Sequence, residues 1–195
     1  MLADMPKHSV CAEIGVYEGD FSESIIKIVG PKKLHLIDPW RFEESEVYKD
    51  SLYGGEKGRS QSHLDSIYEK VKAKFDGTDV VQIHRSSSAD ACVQFPEEYF
   101  DWIYIDANHQ CEFVKGDLEL YLRTVKCGGY LTGDDYGEGR WWQGGVKKAV
   151  DEFVLNPSVK LKYVRDRQFC LQKVKHETCS SHKSTRHQEK PEARD

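Results

Sequence analysis

The sequence predicts an α/β protein with a doubly wound, seven-stranded sheet, mostly parallel with its last strand antiparallel, and helices on both faces. Three observations lead there. Short apolar, β-branched or aromatic runs at 10–16, 33–37, 79–84, 102–105 and 130–132 read as strands covered on both sides. Between them apolar residues recur at helical spacing, and a strand–helix–strand repeat makes its strands parallel, with their carboxyl ends on one edge. Finally, 159–164 and 168–174 are strand-like and separated only by Arg165-Asp166-Arg167, a gap short enough for an antiparallel hairpin. The pattern is Rossmann-like.

At 195 residues the chain holds one domain, expected over 1–174, followed by a polar tail at 175–195. The tail has no apolar pattern, so His176, His182 and His187 are read as part of a solvated, disordered segment rather than a metal site. Lys and Arg total 28 against 33 Asp and Glu, a net charge of −5, so the basic footprint of a nucleic-acid partner is missing. The six cysteines form no C-x-x-C pair, residues 1–8 are short and polar, and no apolar run approaches membrane length. These features predict a reduced, cytoplasmic protein with no membrane partner.

The first strand runs into Tyr17-Glu18-Gly19-Asp20 and a helix. Asp20 is expected to cap that helix, with Glu23 completing a capping box. Phe21, Ile25, Ile28 and Val29 form its inward stripe, and Gly30-Pro31 end it. Glu13, Gly15 and Gly19 make a turn through which backbone can approach a nucleotide-like ligand, although strand–helix turns need glycine on steric grounds too. Asp38, at the tip of strand two, stands where such a fold holds ribose hydroxyls; the alternative is a turn-forming Asp before Pro39. The connection 41–62 is long and aromatic, and leaves the carboxyl edge, so it is read as a lid.

A helix at 64–75, the third strand, Ser86-Ser87-Ser88 and a short helix at 89–95 follow. In 101–136, Phe113, Val114, Leu118, Tyr121, Leu122 and Val125 fall at helical spacing, with Gly128-Gly129 as the stop. Gly144-Gly145 open a last helix whose stripe is Val146, Ala149, Val150, Phe153 and Val154.

The strand ends bring Asp106, His109, Asp134 and Asp135 to one rim. Three carboxylates at close range repel, and call for a cation, a polyhydroxyl ligand or both; alternatively they cap helices and line solvated loops. Because all three are hard oxygen ligands, the expected ion at Asp106, Asp134 and Asp135 is Mg²⁺. His109, one helical turn past Asp106, is placed to take a proton. Tyr136, Trp141 and Trp142, on the turn leaving this rim, are expected to wall an acceptor pocket.

Five α/β units and a closing hairpin, with Glu13-Ile-Gly15-Val-Tyr-Glu-Gly19, Asp38-Pro-Trp, Ser87-Ser88-Ala-Asp-Ala, Phe100-Asp-Trp-Ile-Tyr-Ile-Asp106-Ala-Asn-His109 and Lys126-Cys-Gly-Gly-Tyr-Leu-Thr-Gly-Asp134-Asp135-Tyr136, resemble class I S-adenosylmethionine-dependent methyltransferases. The last two motifs look like the macrocin-type, small-molecule O-methyltransferase group. The resemblance implies S-adenosyl-L-methionine as cofactor, held by Glu13, Gly15, Gly19, Asp38, Ser87, Ser88 and Asp106. It implies Mg²⁺ on the three acids, His109 and Asp106 as the catalytic pair, a hydroxylated small-molecule substrate and a homodimer. The sequence departs from many relatives at Ala107-Asn108, where Gly-Asp is common, and at Cys111, where an aromatic residue is. An NAD(P)-dependent oxidoreductase is the alternative enzyme class, but Tyr17 and Glu18 break its glycine fingerprint. A non-catalytic nucleotide-binding module is the third reading.

Overall fold

The computed structural model describes residues 1–58, 60–139 and 142–175. Its strands are β1 Val10–Ile14, β2 Lys33–Asp38, β3 Val81–Arg85, β4 Phe100–Ile105, β5 Val125–Gly133, β6 Val159–Arg165 and β7 Gln168–Lys173. They form one sheet in the order β3-β2-β1-β4-β5-β7-β6. The first five pair in parallel, and β7 runs antiparallel to both β5 and β6, as the sequence predicts. The helices are α1 Asp20–Val29, α2 Gly55–Gly58, α3 Gln61–Lys74, α4 Ser88–Cys92, α5 Cys111–Leu122 and α6 Gly145–Phe153.

Strand β4 shows why its sequence reads as a continuous apolar run. Trp102 and Tyr104 point into a core with Ile25, Val29, Leu64 and Val71 from α1 and α3. Ile103 and Ile105 point the other way, into a core with Val114, Leu118, Val146 and Val150 from α5 and α6. Alternate residues of a strand face opposite sides, so a strand covered on both must be apolar at every position.

Local details differ from the sequence reading. Asp20 does not cap α1: the cap position is Gly19, at φ 77° with no side-chain bond, and Asp20 instead pairs with Lys74 at 2.7 Å. The inward stripe of α1 includes buried Ser22, whereas Ile28 is exposed. Phe113 likewise faces outward on α5. Gly128-Gly129 do not stop α5, which ends at Leu122; they lie within β5, where the pairing jumps from Phe100↔Val125 to Trp102↔Tyr130. A bulge absorbs the residues between, so an apolar Val125 that continued the helical spacing belongs to the strand. Trp141 and the tail 176–195 lie outside the described residues, and with them the tail histidines.

Candidate functional site

The site lies where β1, β2 and β4 end side by side. Gly15 donates its N–H to Ile37 (2.9 Å), and Asp106 donates its own to Ile14 (2.8 Å), locking the three tips together. A Cβ on Gly15 would come within 2.1 Å of the Asp106 carbonyl oxygen, and its φ of +88° lies in the left-handed region. Glycine is therefore required there by packing as well as by conformation.

Asp38 is buried at the end of β2. Its Oδ2 accepts the N–H groups of Val16 (2.8 Å) and Tyr17 (3.0 Å), and Oδ1 accepts that of Trp40 (2.7 Å). The hydroxyl of Tyr53, from the long loop, also donates to Oδ2. Burial raises the Asp38 pKa, and these four donors oppose it. Glu13, one strand in, is buried against α1 and accepts a hydrogen bond from the Ser22 hydroxyl. Burial pushes its pKa up to about 8, with the Asp106 and Asp38 charges adding and Ser22 opposing. Ser87 caps α4 by accepting from the Asp90 N–H at 3.2 Å, and Ser88 donates to Asp117 on α5 at 2.5 Å. Ser86, which sequence reading passed over, carries a buried hydroxyl with no hydrogen-bond partner among the described residues.

At the rim, Asp106, His109 and Asp135 come together, their closest ligand atoms lying within 4.8 Å of one another. The His109 Nε2 sits 3.2 Å from Asp106 Oδ1 and 2.9 Å from Asp135 Oδ2. Burial pulls the imidazole pKa down, but the hydrogen bonds to Asp106 and Asp135 more than reverse this and raise it to about 9. His109 is thus a cation between two anions at neutral pH. Trp142 backs it, with ring centroids 4.6 Å apart. Asp134 lines the same small cavity as Asp106 and His109 but is tied to other partners. Its Oδ1 accepts the N–H of Asp135 at 2.7 Å, and its Oδ2 lies 3.4 Å from the buried Tyr104 hydroxyl, to which Gln168 also donates at 3.3 Å. Tyr136 points elsewhere too, donating to Asp151 on α6 at 2.6 Å.

Two partners were invisible from spacing. Arg167, in the two-residue turn between β6 and β7, donates to Asp135 Oδ1 at 2.8 Å. Tyr48, in a 3-10 turn of the 41–62 connection, accepts from the Asn108 side chain at 2.8 Å. Together with Tyr53 on Asp38, this pins the long loop across the carboxyl edge at two points. The topology alone contained the Arg167 signal: an antiparallel β7 beside β5 must start at the edge where β5 ends.

Residues 12–136 match the family model described as "Methyltransferase domain". The chain is 29% identical over 147 residues to a protein of Acanthamoeba polyphaga mimivirus named "Uncharacterized protein R132", covering 74% of this chain and 58% of the viral one. It thus spans somewhat over half the length of that relative. Among solved structures it is similar to the O-methyltransferase NovP, with TM-score 0.58, 19% identity and coverage of 86% of this chain and 72% of NovP. It is also similar to SMU.1697c of Streptococcus mutans, solved in complex with SAH, with TM-score 0.55, 14% identity and coverage of 89% and 93%. Among the described residues no helix is long and apolar enough to cross a membrane.

Proposed function

Because the chain belongs to the methyltransferase-domain family, we propose that it transfers a methyl group from S-adenosyl-L-methionine to a hydroxyl oxygen of a small polar molecule. The observation that carries this is the juxtaposition of a glycine turn and a buried strand-tip carboxylate with an acid–histidine rim, all on one edge of the sheet. Several residues suit the cofactor. Gly15 lets the β1–α1 turn pack against the Asp106 backbone and so sets the turn at the strand edge, Asp38 offers a carboxylate for ribose hydroxyls, and the orphaned Ser86 hydroxyl has hydrogen-bonding capacity unspent at the end of β3. Ser87 and Ser88 are engaged in holding α4 and α5, so their contribution is to support that wall.

Bound there, the cofactor supplies an electrophilic methyl carbon for in-line displacement. The chain's task is to align the acceptor oxygen and receive its proton. Asp106 is the open member of the rim: its Oδ1 holds His109 and its side chain is partly exposed. It is suited to orient the acceptor hydroxyl, and His109 beside it takes the proton only in its neutral form. The raised pKa of about 9 makes that the minor form at neutral pH, so turnover is expected to rise on the alkaline side. NovP, an O-methyltransferase of the same fold, supports oxygen as the acceptor atom.

The magnesium ion expected from the three acids does not fit the residues as they stand. Both oxygens of Asp135 are engaged, by Arg167 and His109, and both of Asp134 face donors of the protein itself. The tight grouping of Asp106, His109 and Asp135 is that of a hydrogen-bonded ion pair. No step is assigned to a metal.

Calorimetric titration with S-adenosylhomocysteine tests the cofactor assignment. Micromolar binding is expected, with none of NAD; binding of NAD alone would overturn it. A screen of hydroxylated metabolites with methyl-labelled cofactor then identifies the acceptor.

A further inference from the structure

We propose that Arg167 takes the place of a divalent cation at this rim, so that the carboxylates are neutralised from within the chain and methyl transfer proceeds without metal. Three independent observations carry it. The guanidinium donates to Asp135 Oδ1 at 2.8 Å while His109 holds Oδ2, so neither oxygen faces a place for an ion without losing a protein partner. The position is also built. Tyr136 donates its N–H to the Arg167 carbonyl at 2.9 Å, and Gly137 lies under the guanidinium, where an added Cβ would sit 3.4 Å from its central carbon. Finally, Asp166 and Arg167 both have positive φ, at 50° and 68°, the geometry of a two-residue hairpin turn that Asn-Gly fills with least strain. Arginine is a poor choice for that backbone and a good one for a carboxylate, and strain retained next to a reactive rim points to use.

An arginine differs from Mg²⁺ in what it can do. It fixes Asp135 by directed hydrogen bonds and cancels charge, but it offers no vacant coordination positions for two acceptor oxygens. The rim therefore fits an acceptor presenting a single hydroxyl to Asp106 better than one that must chelate through adjacent oxygens. This extends the methyl-transfer reading only in choice of acceptor; the claim about charge is read without turnover.

The test uses Mn²⁺ as probe, with the paramagnetic signal of the free ion followed during titration of EDTA-treated full-length protein. The native chain is expected to bind no Mn²⁺ below about 1 mM, whereas Arg167→Gly gains a site at least tenfold tighter, and Arg167→Gly combined with Asp135→Asn loses it. Arg167→Gly suits the turn, so misfolding does not confound the result. Arg167→Lys, which keeps the charge, should stay at the native level. Sub-millimolar binding by the native chain overturns the proposal, and so does failure of Arg167→Gly to bind. Either outcome leaves S-adenosylhomocysteine binding, and hence the methyltransferase reading, to stand or fall separately.

Discussion

The Tyr53 hydroxyl donates to Asp38 Oδ2, joining the middle of a long connection to the tip of β2. The carboxylate best placed for ribose hydroxyls is therefore held by a side chain that competes for it. Tyr53→Phe removes one of four donors from a buried carboxylate and should destabilise the free protein by about 1–2 kcal/mol. The same change should tighten S-adenosylhomocysteine binding several-fold, because no protein hydroxyl then has to be displaced. Thermal unfolding with and without the ligand reads both effects. Weaker binding by Tyr53→Phe would make Tyr53 part of the binding site instead of its competitor.

The loop that carries Tyr53 also touches the rim through Tyr48 and Asn108. If both contacts hold the lid, Tyr48→Phe combined with Tyr53→Phe should speed proteolytic cleavage within 41–62 at least several-fold, with cofactor and substrate restoring protection. Cleavage equally fast in native and doubly substituted protein would show that the tyrosines do not hold the loop.

Stability should depend on pH through two buried groups. Folding raises Glu13 from 4.5 to about 8, so its contribution is complete below 4.5 and is lost as pH rises through 8. Folding lowers His35, buried against His84 and Tyr99, from 6.5 to about 4, mainly by burial, so its contribution is complete above 6.5 and is lost as pH falls through 4. The melting temperature should therefore be highest near pH 5–6 and decline towards pH 8.5. Glu13→Gln, neutral at every pH, should flatten that decline by about 5 °C. An unchanged alkaline slope would show that Glu13 is not the group responsible.

Asp106→Asn and His109→Asn should each lower turnover by about 10²–10⁴-fold while leaving S-adenosylhomocysteine affinity within a few-fold of native. EDTA should leave native turnover unchanged. Loss of cofactor binding in both variants would assign the rim to the cofactor and not to the acceptor.

The legible parts of this protein were those set by residues close in sequence. Strands covered on both faces announce themselves as unbroken apolar runs, and acids at or just past the ends of such runs, Asp38, Asp106, Asp134 and Asp135, must meet at the carboxyl edge. What failed was the sorting of those acids. Asp134 and Asp135 are neighbours with different environments, one tied to Tyr104 and the Asp135 N–H, the other by its side chain to His109 and Arg167. Asp135 lies past the end of β5 at φ 59°, in the left-handed region, so the alternation of an extended strand no longer sets its direction and only the tertiary partners decide which acid faces the rim. Val125 misled for a similar reason: its apolar side chain satisfies both the helical spacing and the strand that follows, and the bulge opposite Phe100–Trp102 has no signature in β5 alone.

The β6–β7 hairpin has a consequence for synthesis. Strand β5 carries two of the rim acids at its end, and its outer edge is paired only by β7, whose first residues adjoin Arg167. While the chain is growing, the first five strands can assemble in parallel as soon as they leave the ribosome. They then stand with β5 as a bare edge and with Asp135 facing His109 without its arginine. An unpaired central strand is an adhesive surface, so a ribosome stalled before residue 168 would release a fragment prone to aggregate rather than a partly working one. Completion of the sheet and completion of the rim are one event, and both wait for the β6–β7 hairpin.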